Sequence, residues 1–151
     1  MNKVNRTFVK IIATILIVSM CVPIAAQAAM PETVAPLASE YLAEYGGYIC
    51  AMGEDDLEIW YEVYGTRTCA DIGVLYILLY ESTDNENWSW VKTYLCEDYD
   101  TMLAHNDSFH VSHVDYEGVP GRYYKAYVCV WAGPEESGDA RYFWTPVERC
   151  I

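Results

Sequence analysis

The sequence RYYKAYVCVWA, residues 122–132, contains the most regular hydrophobic alternation in the chain. One set of side chains is spaced for a buried core and comprises Tyr124, Ala126, Val128 and Val130. The alternate set points the other way and comprises Tyr123, Lys125, Tyr127, Cys129 and Trp131. Because successive side chains of a strand project from opposite faces, this period of two predicts a β-strand with one face in the core.

Shorter segments with the same character lie before and after this strand. Leu57–Tyr64 alternates in a similar way, whereas Ile72–Tyr80 (IGVLYILLY) is almost unbroken apolar sequence, as expected of a central strand. The remaining predicted strands are Ser39–Met52, Trp88–Leu95, His110–Tyr116 and Ala140–Thr145. For the first of these, a short helix over Ser39–Tyr45 that ends at Gly46 and Gly47 is the competing interpretation.

About seven short strands without a long helix predict an all-β fold, a single antiparallel sandwich of the immunoglobulin or fibronectin type III kind. The polar segment 96–108 is predicted to be irregular. Tyr124 follows the corner Gly118–Gly121 at the start of a core strand, which is the position of a tyrosine corner in such folds. We expect the sandwich domain to span residues 39–146 and a C-terminal tail to span residues 147–151.

Several of these stretches also resemble a known family. They are YESTDNENWSWVKTY (80–94), HVSHVDYEG (110–118), and GRYYKAYVCVWAG followed by GDARYFWT (121–145). The family consists of small secreted proteins of anaerobic Gram-positive bacteria, and the resemblance covers roughly residues 36–145. It implies export and an all-β domain with no assigned activity, and it supplies no catalytic residues. The cysteines lie outside the family pattern, so the resemblance makes any disulfide a local addition.

The N-terminus has the three parts of a secretory signal peptide. Its first ten residues are basic and lack acids, Ile11–Val22 is a short apolar run, and Ala26–Ala28 (AQA) follows Pro23. A membrane-spanning helix needs about 20 apolar residues, so an anchor is disfavoured. A lipoprotein modified at Cys21 is disfavoured because the bulky Met20 precedes it. We expect cleavage after Ala28, a lead-in over residues 29–38, and a secreted, extracellular protein.

Charge and composition restrict the partners of the exported chain. Removal of residues 1–28 leaves six basic residues against 22 acidic ones, a net charge of −16. Such a surface repels nucleic acid and anionic membranes. No cofactor motif, catalytic triad, phosphate-binding loop or zinc-protease motif is present in the sequence.

Cysteines, histidines and acids offer limited chemistry. In an oxidising compartment cysteines tend to pair, and five of them allow at most two disulfides, with the pairing left open: Cys50, Cys69, Cys96, Cys129 and Cys150. His110 and His113 fall on opposite faces of a strand, so the sequence predicts no metal site there. The acidic clusters match no calcium loop, and solvated turns are favoured over a weak calcium site.

Aromatic residues provide the best candidate for a function. The chain contains 14 tyrosines and five tryptophans. Those predicted to form an exposed binding surface are Trp60, Tyr64, Trp88, Trp90, Tyr123, Tyr127 and Trp131. Tyr and Trp are common contact residues of binding surfaces, so we expect a non-catalytic module that binds a glycan or a peptide. The alternatives are a hydrolase that uses acids such as Asp98 and Asp100, and a small signalling protein.

Export leads to a direct prediction. The protein recovered from the culture medium of an expressing bacterium should have the intact mass of a chain that begins at Ala29, because the AQA sequence ends at Ala28. Electrospray mass spectrometry of the purified protein checks this, and a mass that retains residues 1–28 would contradict it.

Overall fold

Strands account for 71% of the residues described by the computed structural model, which are residues 39–53 and 55–151. The seven strands are β1 (Leu42–Gly53), β2 (Asp56–Ser82), β3 (Ser89–Leu95), β4 (Leu103–Glu117), β5 (Tyr123–Gly133), β6 (Asp139–Trp144) and β7 (Glu148–Arg149). A short 3₁₀ helix, Asp100–Met102, precedes β4. The all-β, antiparallel, seven-stranded prediction is confirmed. The predicted signal peptide, its cleavage site and the lead-in 29–38 lie outside the described residues.

Strand β2 is 27 residues long and pairs with four other strands. On one edge, Asp56–Gly73 pairs with β4 and Tyr76–Glu81 with β3. On the other edge, Asp56–Gly65 pairs with β1 and Asp71–Ser82 with β5. Strand β5 also pairs with β6 and β7. The result is one antiparallel sheet that curls into a half-barrel.

The continuity of β2 differs from the two separate strands that the sequence predicted. Residues 65–68 of β2 lie opposite a single residue of β4, between the pairs Tyr64–Phe109 and Cys69–Asp107. Such an insertion bends a strand without ending it. Thr66 stabilises the bend, since its amide donates to the Tyr41 carbonyl at 2.8 Å and its hydroxyl to the Glu40 carbonyl at 2.6 Å.

A second irregularity decides which side chains of β2 reach the core. The register with β5 shifts between Val74 and Tyr76. An extra residue at this point reverses the alternation of faces. For this reason the buried side chains next to the shift are even-numbered before it (Ile72 and Val74) and odd-numbered after it (Ile77 and Leu79). The same shift explains why IGVLYILLY shows no alternation in the sequence.

The core also contains the faces that regular alternation predicted. On β2 these residues are Leu57, Ile59, Tyr61 and Val63, and on β5 they are Tyr124, Ala126, Val128 and Val130. The Tyr124 hydroxyl accepts a hydrogen bond from the Val119 amide at 2.8 Å and donates to Oε2 of Glu81 at 3.2 Å. Burial raises the pKa of Tyr124 to about 12, which keeps this donor protonated. Tyr124 thus connects the corner before β5 to strand β2.

The first predicted strand, Ser39–Met52, forms as β1 and pairs with β2, so the competing helix over Ser39–Tyr45 is excluded. Two other local predictions need correction. The segment 96–108 is only partly irregular, since β4 begins at Leu103. The residues assigned to a C-terminal tail, 147–151, contain β7 and the buried Cys150. These short pieces gain their order from pairing with distant strands, which local sequence does not reveal.

The disulfide prediction is also corrected. No disulfide joins any two cysteines within residues 39–53 and 55–151. Where the cysteines take part in strand pairs, the register sets them opposite other residue types: Cys50 faces Glu58, Cys69 faces Asp107, and Cys129 faces Tyr76 and Tyr142. A disulfide needs two Cβ atoms about 4 Å apart, a spacing that two cysteines directly opposite each other on paired strands would have. None of the strand pairs named above places two cysteines opposite each other.

Gly73 and Gly121 form a matched pair for testing the close approach of β4 to β2. Both have positive φ, +147° and +87°. A Cβ atom at Gly73 would lie 2.2 Å from the Met102 carbonyl oxygen, whereas one at Gly121 meets nothing within 4 Å. We expect Gly121→Ala to cost about 1 kcal/mol and Gly73→Ala to cost more than about 3 kcal/mol. Urea unfolding measures both, and equal losses would contradict the close approach.

Candidate functional site

The outer face of the β3–β2–β5–β6 portion of the sheet carries a cluster of aromatic side chains. Strand register aligns them in rows, because residues opposite one another on paired strands project from the same face. One row contains Trp90, Tyr80 and Lys125, and the next contains Leu78, Tyr127 and Trp144. A third row contains Tyr76, Cys129 and Tyr142.

Rings of these rows contact one another both within a row and between neighbouring rows. Tyr127 lies 4.9 Å from Trp144 and 5.8 Å from Tyr142, and Tyr80 lies 5.4 Å from Trp144, between ring centroids. Tyr142 and Trp144 nevertheless expose 51% and 49% of their surface. We call this group the aromatic face and define it as Tyr80, Trp88, Lys125, Tyr127, Tyr142 and Trp144. Clustered aromatic residues with this exposure are typical of contact surfaces.

Lys125 holds two tryptophans of the aromatic face together. Its Nζ lies 4.1 Å from the centroid of the Trp88 ring and 4.9 Å from that of Trp144. Both distances fall within the range of cation–π attraction, which is worth roughly 0.5–1 kcal/mol at an exposed site. The ammonium group therefore brings Trp88, which directly precedes β3, beside Trp144 on β6.

Cys129 lies beneath the aromatic face and is only 1% exposed. Its thiol interacts with the hydroxyls of Tyr76 and Tyr142, and burial raises its pKa. A protonated, covered thiol is a poor nucleophile. Cys129 therefore acts as a small packing residue below the rings, and its outward direction agrees with the alternation of the sequence.

The seven aromatic residues predicted as one surface occupy separate places. Trp88 and Tyr127 belong to the aromatic face, and Trp90, 60% exposed, lies in the row with Tyr80. The rest are distributed as follows: Trp60 and Tyr64 on the first half of β2, Tyr123 beside Arg149, and Trp131 against Gly138. The prediction missed Tyr142 and Trp144, although their spacing of two in ARYFWT indicates a shared face.

The first half of β2 carries a different chemistry on its outer face. Ligand atoms of Glu58, His113 and Asp115 lie within 4.8 Å of one another, a spacing at which they could hold a metal ion. His110 belongs to the other side of the sheet, where its Nε2 lies 2.8 Å from the Thr101 carbonyl oxygen. The sequence did not reveal this group, because Glu58 is far from the two β4 residues along the chain.

Comparisons with protein families, characterised proteins and solved structures find no match to this chain. No helix in residues 39–53 and 55–151 has the length and apolar character needed to cross a membrane. Function must therefore be inferred from the two outer-face groups themselves.

Thiol reactivity tests the packing of the aromatic face. In the native protein, iodoacetamide should modify the partly exposed Cys50 much faster than Cys129, because Tyr142 and Tyr76 cover the latter. Tyr142→Ala should accelerate modification of Cys129, whereas Tyr48→Ala, on β1, should not. Peptide mapping by mass spectrometry measures both rates. Equal reactivity of Cys50 and Cys129 in the unchanged protein would contradict the assignment.

Proposed function

We propose that this protein is a secreted, non-catalytic binding module that holds a glycan chain on its aromatic face. The observation that carries the proposal is the contact among Tyr127, Tyr142 and Trp144, with the last two about half exposed. A monomeric domain leaves so many large rings in contact at its surface mainly where they bind something. Sugar rings stack on aromatic side chains, while tyrosine hydroxyls and indole N–H groups supply hydrogen bonds.

Charge narrows the class of glycan. Without residues 1–28 the chain has a net charge of −16, which disfavours a polyanionic polymer. The only cation within the aromatic face, Lys125, is already stacked between Trp88 and Trp144. A neutral or amino-sugar polymer therefore fits this surface better than an acidic one.

Two further expectations belong to the proposal. Residues 1–28 direct the chain out of the cytoplasm, as the resemblance to secreted proteins also implies. Outside the cell, extracellular polymers are available for binding. The immunoglobulin or fibronectin III relationship is proposed on the basis of the seven antiparallel strands and the Tyr124 hydroxyl bonded to the Val119 amide.

Binding to immobilised neutral, amino-sugar and acidic glycans tests the proposal. Trp144→Ala should weaken binding to the preferred glycan by roughly tenfold, about 1.4 kcal/mol, because it removes one stacking ring. The matched control is Phe109→Ala, which removes an equally exposed ring (53%) from β4. The control variant should bind as the unchanged protein does.

Several results would contradict the proposal. One is the absence of binding to every glycan class, and another is equal loss in Trp144→Ala and Phe109→Ala. If the protein binds only extended peptides, and these pair with the open edge of β6, then the ligand is a peptide and the glycan proposal is wrong. If the protein degrades a polymer, and Asp98→Ala or Asp100→Ala abolishes that activity, the hydrolase alternative is favoured.

A further inference from the structure

The outer face of β2 and β4 brings an imidazole and two carboxylates together by register. Glu58 lies directly opposite Asp115, and Trp60 lies directly opposite His113. Glu58 is therefore diagonal to His113, and the ligand atoms of Glu58, His113 and Asp115 all lie within 4.8 Å of one another. All three belong to paired strands, which hold their backbones in fixed relative positions.

Trp60 positions two members of this group. Its Nε1–H donates to Oε2 of Glu58 at 2.7 Å, and its ring lies 4.5 Å from the imidazole of His113 between centroids. A hydrogen bond to a carboxylate and a packed imidazole are the kind of support that orients the ligands of metal sites. Nε2 of His113 lies 3.6 Å from Oδ1 of Asp115, too far for a good hydrogen bond and consistent with an atom placed between them.

The two carboxylates of this group lie beside a further pair of acidic side chains. Like charges directly opposite each other on paired strands are destabilising, and here the Glu58–Asp115 pair is followed on the same face by Asp56–Glu117. The Arg67–Glu40 and Arg122–Glu81 ion pairs lie in other parts of the sheet. A divalent cation would neutralise the carboxylates. A pocket of about 320 Å³, lined in part by Asp56, Glu58 and Asp115, adjoins them and has room for water ligands.

We propose that Glu58, His113 and Asp115 bind one divalent first-row transition metal ion. An imidazole nitrogen combined with carboxylate oxygens suits Zn²⁺ and its neighbours, whereas Ca²⁺ prefers a larger set of oxygen ligands. The site is separate from the aromatic face, so it does not depend on the proposed glycan binding. Asp115 and His113 are accessible, with side-chain exposures of 81% and 36%.

Calorimetric titration with Zn²⁺ alone, in a reducing buffer, tests the site. The unchanged protein should bind one ion, and Glu58→Gln and His113→Asn should each bind it at least about tenfold more weakly. His105→Asn is the matched control, because His105 also pairs with a carboxylate, Asp71, at 2.5 Å. Thermal unfolding gives a second readout, since Zn²⁺ should raise the Tm of the unchanged protein and of His105→Asn more than that of Glu58→Gln or His113→Asn.

A thiol site is the main competing explanation for Zn²⁺ binding. Cys50 lies opposite Glu58 on β1, so Cys50→Ser serves as a further control and should retain most of the affinity. The proposal is overturned if the unchanged protein binds no Zn²⁺, or if Cys50→Ser abolishes binding while His113→Asn does not. Binding lost equally in His105→Asn and His113→Asn would also overturn it.

Discussion

The whole structure depends on backbone pairing along both edges of one long strand, β2. Around Asp71–Gly73, β2 is hydrogen-bonded to β4 on one edge and β5 on the other, and this is where its partners change. A strand paired on both edges leaves its backbone amides and carbonyls satisfied while the sheet curls. Gly73 permits this geometry, because the Met102 carbonyl oxygen, just before β4, lies where a Cβ atom would be.

The two halves of β2, which lie on either side of its two irregularities, carry different chemistry on their outer faces. Before the insertion at residues 65–68, regular alternation turns Glu58 and Trp60 outward beside His113 and Asp115. After the shift at Val74–Tyr76, the outward positions are Tyr76, Leu78 and Tyr80, which align with the aromatic residues of β5 and β6. Polar, acidic side chains therefore gather on one half of the sheet and aromatic rings on the other.

Sequence reasoning succeeded where one face of a strand is buried and the other is solvated, as in Leu57–Tyr64 and residues 122–132. It missed that β2 continues through residues 65–71, because a bulge leaves no hydrophobic period in the sequence. It also missed β7, which forms a strand because it pairs with β5. The aromatic face was foreseen only through Trp88 and Tyr127. The Glu58–His113–Asp115 group depends on a pairing between distant segments, and one sequence alone does not give that register.

Nuclear Overhauser effects from Ile72 in isotopically labelled protein test the central role of β2 most directly. If β2 is continuous and paired on both edges, the backbone of Ile72 shows cross-strand effects to both Ala104 of β4 and Ala132 of β5. Residues 65–71 then show the strong sequential effects of extended backbone. Turn-type effects within residues 65–71, or contacts from Ile72 to only one of the two alanines, would contradict the account.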